Sequence, residues 1–255
     1  MPIGDHTHIL AASKLGRLVT KLLGTLDLHS HLRISPLLHF LRAIDLGQRD
    51  FKVLEVGCGS GTNLFELSKI APVMAVGYDI DSAAIESAKL MKQRLSFDHL
   101  SFHCRDASEL AETDKEYDLV LLMDVIEHIV RPKQLLDILD KKLKALGHLI
   151  ISVPMPVYPW VFGRRFHSEV GHLVDGYRLE DLNGVVPSYY KLIKWRYNTG
   201  PLTWPGCVLY YRYVRRIRNH HVRSLFSAAL VPFRWLDLLN GDGISASLFA
   251  VYQKQ

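Results

Sequence analysis

The sequence predicts an α/β fold, a largely parallel sheet covered by helices on both faces. Three observations carry this expectation. Short, nearly continuous apolar runs, of which Tyr117–Met123 (YDLVLLM) is the clearest, are what strands buried on both faces require. These runs alternate with segments whose apolar residues recur at helical spacing. The first run, Phe51–Val56, breaks into three glycines spaced two apart (Gly57, Gly59 and Gly61) before a helix-like segment, giving strand, tight turn and helix.

Taken in order, residues 9–23 set Leu15, Leu18, Val19 and Leu22 opposite Lys14, Arg17 and Lys21, a first helix. A second is expected to start with Ser35 as N-cap and Pro36 in its first turn, to bury Leu37, Phe40, Leu41 and Ile44, and to stop at Gly47. Residues 27–33 between them read as a connector, because His29 and His31 lack the i, i+4 spacing that brings helical metal ligands together. Both helices are expected to cover a ligand mouth or pack on the sheet edge. Strands then follow over 51–56, 72–79, 100–104, 117–123 and 147–153, with helices over 62–70 and 81–95. A further helix opens at Arg131-Pro132, with a stripe of Leu135, Leu136, Leu139 and Leu143. Residues 154–177 hold three prolines and no clear period, the mark of a functional loop. A helix over 179–185, a strand over 189–197, a helical insert over 200–243 and a last strand over 245–252 complete the chain. The whole of 1–255 is expected to form a single domain: N-terminal helices to residue 48, a core over 51–199, the insert, and a final strand over 244–255.

Composition narrows the functional classes. The chain is 48% hydrophobic and 22% charged, ordinary for a soluble protein. Cys58, Cys104 and Cys207 show no paired spacing, so a reducing setting without disulfide or zinc site is expected. No basic segment followed by an apolar core opens the chain, and no uncharged stretch reaches the length of a spanning helix; a cytoplasmic protein is expected, with membrane association left open. The net charge of +5 is confined to residues 201–255, which hold seven Lys and Arg against two Asp and Glu. Such asymmetry suits an anionic surface or substrate.

The glycines run G-x-G-x-G, not the G-x-G-x-x-G of dinucleotide sites, and Glu55 stands two residues before the first. With Asp79 closing the next strand, the chain resembles class I S-adenosylmethionine-dependent methyltransferases over roughly Phe51 to Pro154. Residues 55–61 look like that family's first motif, and Gly77-Tyr78-Asp79 like its second, whose acid holds the ribose hydroxyls. Arg105-Asp106-Ala107 matches the position where an aspartate accepts from the adenine amino group. Met123-Asp124-Val125-Ile126-Glu127-His128 resembles the segment after strand four. The resemblance implies a Rossmann-like sheet of seven strands in the order 3-2-1-4-5-7-6 with the last antiparallel, a helical N-terminal cover and a helical insert before the last strand. It also implies S-adenosyl-L-methionine as cofactor, held by Glu55, Gly57, Gly59, Gly61, Asp79, Asp106, Ala107 and Asp124. The chemistry agrees: this ligand carries a sulfonium and an ammonium but no phosphate, and acids suit it. Asp81 reads equally well as the N-cap of the following helix.

Methyl transfer from a sulfonium needs positioning above all, and a base only where the nucleophile carries a proton. The candidates are His167, His172 and His128, with Tyr177 and Glu127 as helpers; a hydrogen-bonded structural histidine is the competing reading for each. No tight spacing supports a metal on Glu127, His167 and His172, so none is expected. A nucleic-acid acceptor is disfavoured, because the Asn/Asp-Pro-Pro-aromatic stretch of base amino methylases and the catalytic cysteine of base carbon methylases are both missing. In the insert, Tyr210, Tyr213, Val214 and Ile217 project to one side of a helix and Arg212, Arg215, Arg216 and Arg223 to the other. The region reads either as a lid with a solvated basic face or as a contact with an anionic membrane. The expected activity is O-methylation of a small or lipid-linked acceptor, such as a quinone precursor, a glycolipid or a polysaccharide sugar. A non-catalytic cofactor-binding scaffold and an NAD-dependent oxidoreductase are the competing readings.

Overall fold

Seven strands, β1 (Lys52–Val56), β2 (Met74–Asp79), β3 (Leu100–Cys104), β4 (Tyr117–Met123), β5 (Leu143–Pro154), β6 (Tyr190–Asn198) and β7 (Ser247–Lys254), form one sheet in the order β3-β2-β1-β4-β5-β7-β6. Pairings among β1 to β5 are parallel, and β7 runs antiparallel between β5 and β6. This is the expected order. The computed structural model describes residues 28–41, 51–71, 73–112, 116–240 and 244–255, so the expected helix over 9–23 and the stop at Gly47 lie outside them.

Alternation along each strand splits the core into two layers. Val53, Ala75, Leu119, Leu121, Ile150 and Val251 face α1 (Leu28–Leu41), α2 (Thr62–Ser68) and α3 (Ser82–Leu95), whose Leu37, Leu64, Ile85 and Ala88 are fully buried. Leu54, Val120, Leu122, Leu149, Ile151 and Ala250 face the opposite way, toward α4 (Pro132–Asp140) and toward Leu182. Continuous apolar runs were needed because both faces are covered.

Four expectations are corrected. Within the described residues the segment read as a connector, with Ser35 as N-cap of the helix after it, is helical from Leu28 on, and α1 carries Pro36 inside it. Leu28, Leu32 and Leu37 are buried along its length, which outweighs the proline. Pro36 has no N–H to give to the carbonyl of Leu32, and the Nδ2 of Asn198 donates there instead, at 3.1 Å.

The fifth strand begins at Leu143, not Gly147. Leu143 pairs with Tyr117, and an irregularity containing Leu146 (φ 61°) precedes the resumed pairing of Leu119 with His148. Leu143 packs in the same layer as Leu135, Leu136 and Leu139, so the apolar stripe of α4 runs on into a strand without changing its period visibly.

Residues 154–177 contain two short helices, α5 (Tyr158–Phe162) and α6 (Arg164–Glu169), ahead of α7 (Leu179–Val185). The insert is not one amphipathic helix. It bends at Tyr213 between α8 (Trp204–Arg212) and a 3-10 turn over Val214–Arg216, followed by α9 (His220–Leu230) and a 3-10 stretch over Val231–Leu239. The bend buries Tyr210 and Val214 against Leu28 and Leu32 of α1 while leaving Tyr213 exposed. Arg215 turns inward, 4.8 Å over the ring of Phe166 and 3.8 Å from Glu169, away from the exposed Arg212 and Arg216.

Replacing Asn198 by Ala orphans the Leu32 carbonyl and is expected to cost about 1–3 kcal/mol in urea unfolding. The cost should shrink in a Pro36→Ala background, where residue 36 regains the donor; equal costs in both backgrounds would show that the two groups are not coupled.

Candidate functional site

The carboxyl ends of β1, β2 and β4 open onto a cavity of about 480 Å³, the size of a small-molecule pocket. The three glycines of the first turn all have positive φ, but for different reasons. A Cβ on Gly57 would enter the side chain of Val125, and one on Gly61 would meet the ring of Phe102 at 2.6 Å. A Cβ on Gly59 would meet nothing within 4 Å. Gly59 is therefore where backbone is bared to the cavity, whereas Gly57 and Gly61 permit close packing behind it. Gly57 and Gly59 line the cavity; Gly61 does not.

Asp79 holds this loop. Its Oδ2 accepts from the Gly59 N–H at 2.7 Å and its Oδ1 from the Asp81 N–H at 2.8 Å. Each oxygen keeps acceptor capacity, so the carboxylate, which faces the cavity, can still take a pair of vicinal hydroxyls. Asp81 also lines the cavity, and its Oδ1 caps α3 by accepting from the N–H groups of Ala83 and Ala84. Asp106 and Ala107 form the far wall. Ser108 donates both its N–H and its hydroxyl to Asp106 Oδ1, and these bonds hold the carboxyl below its ordinary range.

Glu55 is placed differently from the other acids. It does not line the cavity but lies fully buried beneath the glycine turn. Its Oε1 accepts from Asn63 Nδ2 at 2.6 Å, and its Oε2 has no partner. Burial pushes the Glu55 carboxyl up to about 8, against the smaller opposing pull of the Asn63 bond.

Asp124 ends β4 in the left-handed region, at φ 55°. Its N–H donates to Ser152 O at 2.8 Å, its Oδ1 accepts from Ser152 Oγ, and its Oδ2 lies 2.9 Å from Arg33 Nε. Arg33 also donates to Met123 O at 2.6 Å. The sequence reading did not single out Arg33, which lines the cavity from α1 and brings a cation to a wall otherwise rich in acids. Nor did it find Ile80, an apolar residue 76% exposed immediately after Asp79; an exposed isoleucine at the carboxyl end of a buried strand was a usable signal.

The three candidate histidines form one cluster, with His172 between His128 (ring centroids 4.9 Å) and His167 (4.8 Å). His128 alone of the three lines the cavity. Its Nδ1 is 3.0 Å from the carbonyl of Gly171; a carbonyl only accepts, so the hydrogen sits on Nδ1 and Nε2 keeps its lone pair. His167 is buried, with Nε2 directed at Val174 O at 3.0 Å. His172 is depressed to about 3 by burial and by the two neighbouring histidines, and is neutral at physiological pH. Behind it Glu127 is fully buried, neither carboxyl oxygen hydrogen-bonded and Oε1 3.9 Å from His172 Nε2; burial and, after it, Asp124 raise its carboxyl well above the ordinary range. Tyr177 is buried against Ile126 O and reaches no cavity wall. Although no metal was expected, ligand atoms of Glu127, His128 and His172 lie within 4.8 Å of one another. No helix among the described residues is long and apolar enough to cross a membrane, and the three cysteines are free.

Residues 48–170 match a family model described as a methyltransferase domain. Over 110 residues the chain is 32% identical to the mitochondrial ubiquinone biosynthesis O-methyltransferase of Candida albicans, covering 42% of this chain and 33% of that one. The chain spans less than half the length of the first curated relatives it matches. A coclaurine N-methyltransferase bound to N-methylheliamine and S-adenosylhomocysteine superposes with TM-score 0.62 at 13% identity, over 97% of this chain and 85% of that one. The N-methyltransferase NodS of Bradyrhizobium japonicum in complex with S-adenosylhomocysteine superposes with TM-score 0.56 at 16% identity, over 98% and 99%.

The raised Glu55 carboxyl makes stability depend on pH in a defined direction. The unfolded carboxyl ionises near 4.5 and the folded one at about 8, so the unfolded state holds fewer protons between those values and stability falls as pH rises through that window. Glu55→Gln keeps the acceptor for Asn63 and removes the ionisation. Its melting temperature relative to the parent chain should rise steadily from pH 5 to pH 8; a difference independent of pH would contradict the buried acid.

Proposed function

We propose that the chain, whose residues 48–170 match a methyltransferase domain model, is a class I S-adenosylmethionine-dependent methyltransferase that methylates a hydroxyl oxygen of a small, largely apolar acceptor, a quinone precursor before a glycolipid or a sugar. The observation that carries this reading is His128, on the cavity wall with its Nε2 lone pair fixed toward use as a proton acceptor. Bound in the cavity, S-adenosylmethionine supplies an electrophilic methyl group on a sulfonium.

The protein's part is positional and electrostatic. Asp79 would take the ribose hydroxyls, Asp106 and Ala107 the adenine edge, and Ile80 its face. The open backbone at Gly59 and the cation of Arg33 suit the amino-acid end of the ligand, Arg33 for its carboxylate. Acids at Asp79, Asp81 and Asp124 favour a cationic cofactor and disfavour a pyrophosphate, which speaks against the dinucleotide alternative. The acceptor hydroxyl would give its proton to His128 Nε2 as the carbon–oxygen bond forms, with the new imidazolium held by Gly171 O. Neutral His172 adds no charge that would oppose this. The ring of Tyr158 lies 5.3 Å from that of His172 and packs on Phe162, so the acceptor side of the site would border an aromatic cluster suited to an apolar ring or tail.

With a catechol acceptor and labelled cofactor, His128→Ala should lower kcat by about 10²- to 10⁴-fold with little change in KM, and its activity should follow the acceptor's own ionisation. An unchanged kcat in a folded variant removes the base role, and complete lack of transfer by the parent chain favours the scaffold alternative. A second reading rests on the Glu127 oxygens and the Nδ1 of His172, none of them hydrogen-bonded, beside His128. These groups would hold a divalent cation, which would lower the acceptor's pKa in place of a base. Activity abolished by chelation and restored by one added divalent metal supports that reading; activity unaffected by chelation rejects it.

The insert supports membrane contact in a form narrower than one helical face. Leu225, Phe226, Trp235 and Leu239 are exposed near Arg212 and Arg216 in sequence, a combination suited to an anionic interface. Arg212→Glu with Arg216→Glu should then reduce co-sedimentation with anionic vesicles at least severalfold; unaltered sedimentation leaves the insert as a lid.

A further inference from the structure

A second cavity, of about 350 Å³, lies on the other side of α1 from the cofactor cavity, enclosed by α1, β6 and the 3-10 stretch over Val231–Leu239. Its chemistry differs. Among the described residues Arg196, Arg234, His31 and His39 line it with one acid, Asp237, and the ring of Trp235.

Among the described residues neither Arg196 nor Arg234 has a carboxylate within ion-pair distance. Asp237 is 8% exposed, and its Oδ1 accepts from the Gly200 N–H at 3.1 Å and Asn240 Nδ2 at 3.0 Å, which ties it to the turn after β6. Arg234 is held in place on two sides. Its guanidinium lies 4.7 Å from the centroid of the Trp235 ring, and its Nη1 donates to His31 Nδ1 at 3.1 Å. The guanidinium can only donate, so His31 is in the tautomer whose Nδ1 accepts. One arginine pre-oriented by stacking and hydrogen bonding, a second on the facing strand and histidines between them form a multi-donor concavity for a tetrahedral oxyanion. The volume exceeds what a bare ion needs and leaves room for an organic substituent. Trp235, 58% exposed at the wall, offers that substituent an apolar surface.

We infer that this cavity binds a phosphate-bearing anion through Arg196 and Arg234, at a site separate from the methyl-transfer cavity. The phosphate can come from a free phosphorylated metabolite or from a phospholipid headgroup, and the two sources are separable.

Calorimetric titrations of the full chain at low ionic strength test this with two probes: inorganic phosphate, and dibutyryl phosphatidic acid, which stays monomeric in water. The expected result is saturable binding of at least one probe, weakened tenfold or more by Arg196→Gln and by Arg234→Gln and unaffected by Lys133→Gln on the exposed face of α4. Phosphatidic acid bound at least tenfold more tightly than phosphate assigns the site to a lipid headgroup; equal or weaker binding assigns it to a free phosphate. Arg234→Lys, which keeps the charge and loses the fork, should retain partial binding and guards against a variant that fails to fold. The inference is overturned if neither probe saturates, or if Lys133→Gln weakens binding as much as the arginine variants, since generic surface charge would then explain it.

Discussion

The ion pair of Arg33 with Asp124 is the contact on which the site depends. Without it the carboxyl ends of the strands would form an open shelf; with it α1 is drawn across that end and the shelf becomes a cavity. The pair is partly buried, with side chains about a quarter exposed, so its attraction is only partly screened by water. Its geometry requires Asp124 at positive φ, a conformation aspartate tolerates better than most residues and that the Ser152 bonds hold from the neighbouring strand. One residue thereby links β4, β5 and α1 at the wall of the candidate site.

α1 also organises the opposite side of the molecule. Its buried Leu28 and Leu32 anchor the helical insert, its Arg33 faces the cofactor cavity, and His31 and His39 face the second cavity. A proline in the middle of so central a helix is tolerated because Asn198, at the end of β6, supplies the missing donor. That compensation spans 166 residues, and nothing local signals it. The segment was legible as apolar at helical spacing only once the proline ceased to count as a helix start.

The candidate site divides along the same line. Gly57, Gly59, Asp79, Asp106 and Asp124 could be named in advance because each stands at a strand end, and strand ends follow from apolar runs. Glu55 could be named but not placed: its burial beneath the turn depends on Asn63 and on how the loop folds over it. Among the histidines, spacing favoured His167 and His172, yet the carbonyls of Val174 and Gly171 decided otherwise. His167 is turned into the interior and His128 is left on the cavity wall. Residues as far as 43 positions apart, His128 and Gly171, meet there through loops whose course has no periodic signature.

By itself the sequence determined the sheet, its strand order by resemblance, and which glycines and acids stand at the strand ends, because those follow from alternating burial and from fixed distances along the chain. Only the tertiary structure decided which of the candidate side chains face the cavity. Whether a histidine donates, accepts or is merely packed depends on the one atom opposite each ring nitrogen. Whether an arginine is a surface charge or, like Arg33 and Arg234, the wall of a cavity depends on which helix is folded against it. Local periodicity encodes which face of an element is apolar; it does not encode which polar groups those faces bring together.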